Sequence, residues 1–160
     1  MKRIEVFRDQ LKSIAIKEPG EYLVILKEAG AEVDIRGAFK IDQKNKIEVS
    51  VVIHHQAPNT RANTTLRGVA GDSAHISLKG KIIIDHACGN SNSFLTERVL
   101  LLSNQAHAEC VPDLEIHTYD VKCSHAASIT RIPEAHLFYL MSRGLSRSEA
   151  EKLIVEGFLS

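Results

Sequence analysis

Leu114-Glu115-Ile116-His117-Thr118-Tyr119-Asp120-Val121-Lys122-Cys123-Ser124-His125-Ala126-Ala127-Ser128 joins two short strand-like runs through a polar turn. Side chains of a strand alternate between its two faces, so Cys123 and His125, two positions apart, point the same way and come within reach of one soft metal ion. The same residues also admit a bland reading. Cys123 can be a small core residue and His125 a hydrogen-bonded one, because free cysteine is often buried as a modest hydrophobe.

Working outward, the chain from Ser13 to about Ile132 is a succession of short apolar or alternating runs closed by glycine, asparagine or aspartate. Tyr22-Leu23-Val24-Ile25-Leu26, Val33-Asp34-Ile35, the run from Ile47 to Ile53, His75-Ile76-Ser77-Leu78, Ile82-Ile83-Ile84 and Val99-Leu100-Leu101-Leu102 read as strands. Aromatic residues make up only 5% and tryptophan is missing, while Ala70, Ala74, Ala87, Ala106 and Ala108 recur near strand positions. That composition suits stacked coils of a solenoid. The spacing is irregular, however, and by itself leaves a sandwich open. After Ile132 the period becomes helical. Pro133 suits a first turn, Leu137, Phe138 and Met141 fall on one face, and Gly144 ends the helix. Ser146 and Glu149 then form a capping box ahead of Ala150, Leu153 and Ile154. The expected division is a β core over 1–132 and a helical segment over 133–160.

The 160 residues carry 20 Lys and Arg against 20 Asp and Glu, with 44% hydrophobic and 25% charged residues. This balance gives no reason to expect nucleic acid or a membrane as partner. No run is long enough to span a bilayer and the N-terminus lacks an export signal, so the expected location is the cytoplasm. Cys88, Cys110 and Cys123 are an odd number without zinc-ribbon spacing, and are expected to be thiols. Cys88 lies in Cys-Gly-Asn-Ser-Asn-Ser, which reads as an exposed turn. His54 and His55 face opposite ways on a strand and are read as structural. His75, His86, His107 and His117 lack the spacing of a catalytic zinc site, which sets aside a small metal-dependent enzyme. No nucleophile elbow or phosphate-binding glycine loop occurs, so the chain is not expected to bind or hydrolyse ATP.

The opening stretch resembles the L-E-I strand and D-V-K-C-S-H-G-A-T segment of the SufB/SufD family, and Leu137-Phe138-Tyr139-Leu140-Met141-Ser142-Arg143-Gly144-Leu145-Ser146 resembles its F-Y-L-x-S-R-G-I/L-S signature. Weaker similarity runs through His54-His55, Pro58-Asn59, Arg67-Gly68-Val69, Lys79-Gly80-Lys81-Ile82 and Leu100-Leu101-Leu102-Ser103. The resemblance implies a mainly β fold, a right-handed parallel β-helix followed by a C-terminal helical hairpin. It also implies a non-enzymatic scaffold of an iron–sulfur cluster assembly machine. Relative to the family pattern the chain is N-terminally short. Ala106 and Ala126 stand where SufB-type members carry a cysteine and a glutamate, so the likeness is to the SufD type, although Ala126 also replaces the usual glycine there.

From the same resemblance, His125 with Cys123 is the candidate cluster-assembly site at a subunit interface, holding a transient Fe–S cluster and no tightly bound one. Two residues are at best half a site. Cys110 is shifted by four residues from the missing SufB-type cysteine. The expected partners are a SufC-like ABC-type ATPase, docked on the hairpin at Tyr139, Arg143 and Ser146, and a second SufB/SufD-like subunit or a second copy of the chain. Pairing runs through the segment from Leu114 to His125, and the isolated chain is expected to be a homodimer. The competing reading is an interaction module that keeps these partners but holds no cluster.

Overall fold

The computed structural model describes residues 1–8 and 11–160, and over these the chain is a parallel β-solenoid followed by two helices. The strands are β1 (Lys2–Val6), β2 (Leu11–Ile16), β3 (Gly20–Leu26), β4 (Glu32–Ile41), β5 (Lys46–His55), β6 (Arg61–Ala70), β7 (His75–Ile84), β8 (Ser91–Leu101), β9 (His107–Ile116) and β10 (Val121–Arg131). Odd strands form one parallel sheet, ordered β1-β3-β5-β7-β9, and even strands the other, ordered β10-β8-β6-β4-β2. Each coil therefore contributes one strand to each sheet, and the choice between sandwich and solenoid falls to the solenoid.

Alternation along the strands fills the space between the sheets. Val49, Val51 and Ile53 of β5 stack under Leu78, Gly80 and Ile82 of β7, while Ile35 and Gly37 of β4 stack under Thr64 and Leu66 of β6. Nearly all of these are buried. His55 takes the same inward direction, with Nδ1 2.7 Å from Thr60 Oγ1, whereas His54 faces out and its Nε2 lies 2.9 Å from Asp85 Oδ2.

Two local expectations need correction. His75–Leu78 and Ile82–Ile84 are not separate strands but parts of the single strand β7. Gly80 between them is no turn. A β-carbon there would stand 2.3 Å from Leu95 Cδ2 and 2.9 Å from Glu97 Oε1, so glycine makes room for side chains reaching across from the other sheet. The Cys88 stretch is likewise not an exposed turn throughout. Cys88 is 2% exposed, its Sγ donating to the His55 carbonyl at 3.5 Å, and β8 already begins at Ser91.

Helix α1 (Glu134–Ser142) starts after Pro133, which is extended at the N-cap rather than inside the first turn. Gly144, at φ +99°, takes the chain out of α1 through the left-handed region. Helix α2 (Arg147–Leu159) carries the expected reciprocal box between Ser146 and Glu149. Of the expected α1 face only Leu137 is buried, while Phe138 is 74% and Met141 42% exposed. The hairpin does not cap the last coil. Val155 packs with Val69 and Leu100 on the outer face of the even sheet, joined by Ile154 and Phe158. That row is apolar where its neighbours Arg67 and Arg98 are not, so apolar burial puts α2 there.

Gly80→Ala should lower stability by about 1–3 kcal/mol through overpacking. Gly157→Ala, where the helix has open space, should raise it by up to about 1 kcal/mol. Urea titrations of both variants check this pair, and equal midpoints for wild type and Gly80→Ala would refute the inward placement.

Candidate site at the open end of the solenoid

Among the described residues β9 pairs only with β7 and β10 only with β8, so the last coil presents two unpaired strand edges and an uncovered cross-section. Register decides what that cross-section contains. Ala108, Cys110, Pro112, Leu114 and Ile116 stand over Ile76, Leu78, Gly80, Ile82 and Ile84, all buried and inward. On the facing sheet Val121, Cys123, His125, Ala127 and Ile129 stand over Ser91, Ser93, Leu95, Glu97 and Val99, again all buried and inward. Cys123 and His125 thus look into the same open lumen. Cys110, which sequence spacing separated from them, looks into it from the other sheet.

Being half-buried, the two thiols favour their neutral forms. Burial pushes Cys123 above the usual thiol range, and burial, reinforced by Glu97 and Glu109, pushes Cys110 up to about 11. Cys88 is raised by burial first and Asp85 second. Neither mouth cysteine is a free thiolate at neutral pH; forming one there takes a nearby positive charge or a metal. No three His, Cys, Asp or Glu side chains among the described residues lie close enough together to make a ready metal centre.

Directly beneath the mouth sits Glu97, which sequence reasoning passed over. It is fully buried, neither carboxylate oxygen has a hydrogen-bond partner among the described residues, and burial pushes its pKa up to about 7. The signal was present: Leu95 and Val99 are inward, and Glu97 shares their parity.

The expected docking residues lie on the hairpin. The Arg143 guanidinium stands 5.4 Å from the centre of the exposed Tyr139 ring, a cation–π contact that joins the two. Ser146 is occupied by the cap, its Oγ lying 2.7 Å from Glu149 Oε2 and accepting from the Glu149 amide. Phe138, Met141 and Leu153, also exposed, make the hairpin surface more apolar than the sequence-based choice of Tyr139, Arg143 and Ser146 suggested. A bidentate Arg147–Glu134 pair, at 2.7 and 3.1 Å, links the two helices.

The Glu97 carboxyl has a folded-state pKa above its unfolded value of 4.5, so its contribution to stability is fully present below pH 4.5 and is lost as pH rises to about 7. The loss should approach roughly 3 kcal/mol. His55, lowered by burial to about 4, acts in the opposite sense, and its contribution is lost as pH falls from 6.5. The difference between wild type and Glu97→Gln isolates the first effect. Denaturation at pH 5 and pH 8 should show Glu97→Gln gaining on wild type at the higher pH; a constant difference would place the carboxyl in water.

Comparison with known proteins agrees with this architecture. Residues 19–158 match the family model described as SUF system FeS cluster assembly, SufBD core domain. An iron–sulfur cluster assembly SufBD family protein of Mycobacterium tuberculosis is 31% identical over 138 residues, covering 81% of this chain and 35% of the relative. The iron–sulfur cluster assembly protein SufD of Bacillus subtilis is 42% identical over 93 residues, covering 58% of this chain and 21% of that protein. The chain thus spans about a third or less of the length of these relatives. With the family model covering most of the sequence and the solenoid and hairpin in place, this chain belongs to the SufBD core domain family of the SUF iron–sulfur cluster assembly system.

Proposed function

We propose that the chain is a non-enzymatic scaffold or accessory subunit of a cytoplasmic SUF-type complex. In this reading its open end pairs with a second SufB/SufD-like subunit or another copy of itself, and its helical hairpin docks a SufC-like ATPase. The observation that carries it is the last coil, where unpaired strand edges surround a lumen mouth lined by Cys110, Cys123 and His125. Edges of this kind are sites of strand addition, and pairing there puts ligands from two chains around one space. An iron–sulfur cluster is cargo at that interface. Thiolate and imidazole suit its iron, and the partner completes the coordination.

The hairpin assignment rests on exposed Phe138, Tyr139, Met141 and Leu153 beside Arg143. Aromatic and arginine side chains dominate protein interfaces, and here they sit on a hairpin whose α2 is fixed to the even sheet. A second reading, the interaction module without cargo, is favoured by the buried Ala106 at the SufB-type cysteine position and by the lack of a ready metal centre among the described residues.

Co-purification with a SufC-like ATPase, followed by anaerobic reconstitution with iron and sulfide, tests both readings. Phe138→Ala with Tyr139→Ala and Arg143→Ala should weaken ATPase binding by roughly tenfold or more while leaving circular dichroism and self-association unchanged. His125→Ala should leave ATPase binding intact and reduce cluster delivery. Wild-type ATPase affinity in the triple variant would refute the docking surface. Retained docking with no visible chromophore would select the module.

A further inference from the structure

Scattered in sequence, His75, His86, His107 and His117 meet in two pairs, and each pair joins the last coil of the odd sheet to the coil beneath it. Register explains the meeting. β7 and β9 run in parallel from His75 opposite His107 to Ile84 opposite Ile116, so the residues that follow the two strands leave the sheet at one corner. The His117 amide donates to the Ile84 carbonyl at 2.9 Å and carries the pairing one step into that corner. There the exposed His86 and His117 rings lie with centres 5.1 Å apart and planes inclined by 36°. At the other end of the same strands the His75 and His107 ring centres are 6.3 Å apart.

The two separations decide what each pair can hold. An imidazole nitrogen binds a divalent zinc-like ion at about 2.0–2.1 Å, which puts the ring centre about 3.2 Å from the metal. Two rings sharing a tetrahedral ion then have centres about 5.2 Å apart, and two at right angles on an octahedral ion about 4.5 Å apart. The 5.1 Å pair falls in this range, whereas sharing an ion across 6.3 Å takes a nearly linear arrangement. Hydrogen bonding leaves ring nitrogens free for the task. His117 Nε2 is 3.1 Å from Glu115 Oε1, while Lys81, 2.6 Å from the other oxygen, holds that carboxyl below the usual carboxylate range, with His117 second. A carboxylate only accepts, so the neutral His117 ring carries its proton on Nε2 and its lone pair on Nδ1, the pattern of a carboxylate-oriented metal ligand. His86 makes no hydrogen bond among the described residues, and Asp85 beside it is turned to His54 Nε2 at 2.9 Å. Asp120 packs beside Gly89 at the same corner and adds negative charge that favours a cation.

We propose that His86 and His117 chelate a zinc-like divalent transition-metal ion, with water in its remaining positions, and so clamp the last coil to the one beneath. Imidazole suits ions of this borderline kind, and no third His, Cys, Asp or Glu side chain among the described residues joins the pair, so the ion stays open to solvent and exchangeable. The site uses none of Cys110, Cys123 and His125 and depends on neither subunit pairing nor ATPase docking.

Cobalt(II), which takes the place of zinc and is paramagnetic, is the probe, titrated anaerobically into the isotope-labelled full chain. Broadening of amide signals should centre on residues 85–87 and 115–118 and saturate, without the near-ultraviolet absorption of a thiolate–cobalt bond. Losing one imidazole removes the second, intramolecular contact, so His86→Gln and His117→Gln should each weaken binding by at least about tenfold. His75→Gln with His107→Gln should leave it unchanged. All four rings are exposed, and unmoved amide signals in the rest of each variant confirm its fold. Because the ion holds two coils together, saturating cobalt should raise the urea midpoint of the wild type and not that of His117→Gln. A thiolate–cobalt band with broadening centred on Cys110 and Cys123 would move the ion to the lumen mouth and overturn the corner site. Undiminished binding in either single variant, an equal loss in the His75/His107 variant, or an equal rise in midpoint for wild type and His117→Gln would overturn it as well.

Discussion

Every described strand but the last two, β9 and β10, pairs in parallel with the strand two places further along the chain, and the rest of the structure follows from that constraint. Parallel neighbours cannot be joined by a tight hairpin, so the chain must leave one sheet, cross to the other and return a level higher. Each level can bury its apolar face only against the next. The arrangement has no internal way to finish. Whatever level comes last keeps unpaired amides and carbonyls along two edges and incompletely covered side chains in its lumen, and in this chain those include the half-buried Cys110 and Cys123 and the exposed His125.

Stacking also governs the corners and the columns. Gln43, Asn59, Asp72, Ala87 and Asn90 turn the chain with positive φ, and corners of successive levels bond to one another. The Asn59 amide donates to the Gly89 carbonyl, the Asn90 side chain to that of Asn59 at 2.7 Å, and the Gln43 amide to Asp72 Oδ2 at 2.8 Å. Inside, small residues face large ones across the lumen. Gly68 admits Ile76, as Gly80 admits Leu95 and Glu97. A narrow lumen filled mostly by aliphatic side chains admits few aromatic ones, Tyr22 and Phe39 among them, in keeping with the low aromatic content.

Much of the fold was legible because strand alternation and helix caps are local signals. Ile47 to Ile53, Val33 to Ile35 and the Ser146–Glu149 box are read from a few residues and stand where the reading put them. The solenoid itself was not legible from spacing, because its period is uneven. Lys46 lies opposite His75, 29 positions on, His75 lies opposite His107, 32 positions on, and Lys2 lies opposite Tyr22 after only 20. Motif resemblance supplied what periodicity could not. For the site, the common face of Cys123 and His125 follows from a spacing of two, but Cys110 arrives from the opposite sheet through a three-dimensional register that no local pattern encodes. Gly80 was misread as a break because a glycine that admits a distant side chain looks, in sequence, like one that makes a turn. The hairpin surface was only partly legible, since helical period identifies a face without saying which sheet row will cover it.

The open end and its chemistry are linked by solvation. Glu97 is fully buried one level below the mouth, without a hydrogen-bond partner among the described residues, and the same low-dielectric lumen holds the Cys110 and Cys123 thiols toward their protonated forms. A subunit seated over the mouth would withdraw still more water, so covering the end and ionising its side chains oppose each other. Glu97 sharpens the opposition, because its own carboxylate disfavours a thiolate at Cys110. In the proposed pairing, positive charge between the chains would reconcile them: a soft cationic centre would stabilise carboxylate and thiolate together, where either alone in that lumen is unfavourable. Under the proposed function, cargo arriving as a cation would be favoured over thiol chemistry in the free chain, and pairing and loading would reinforce each other once such a cation is present.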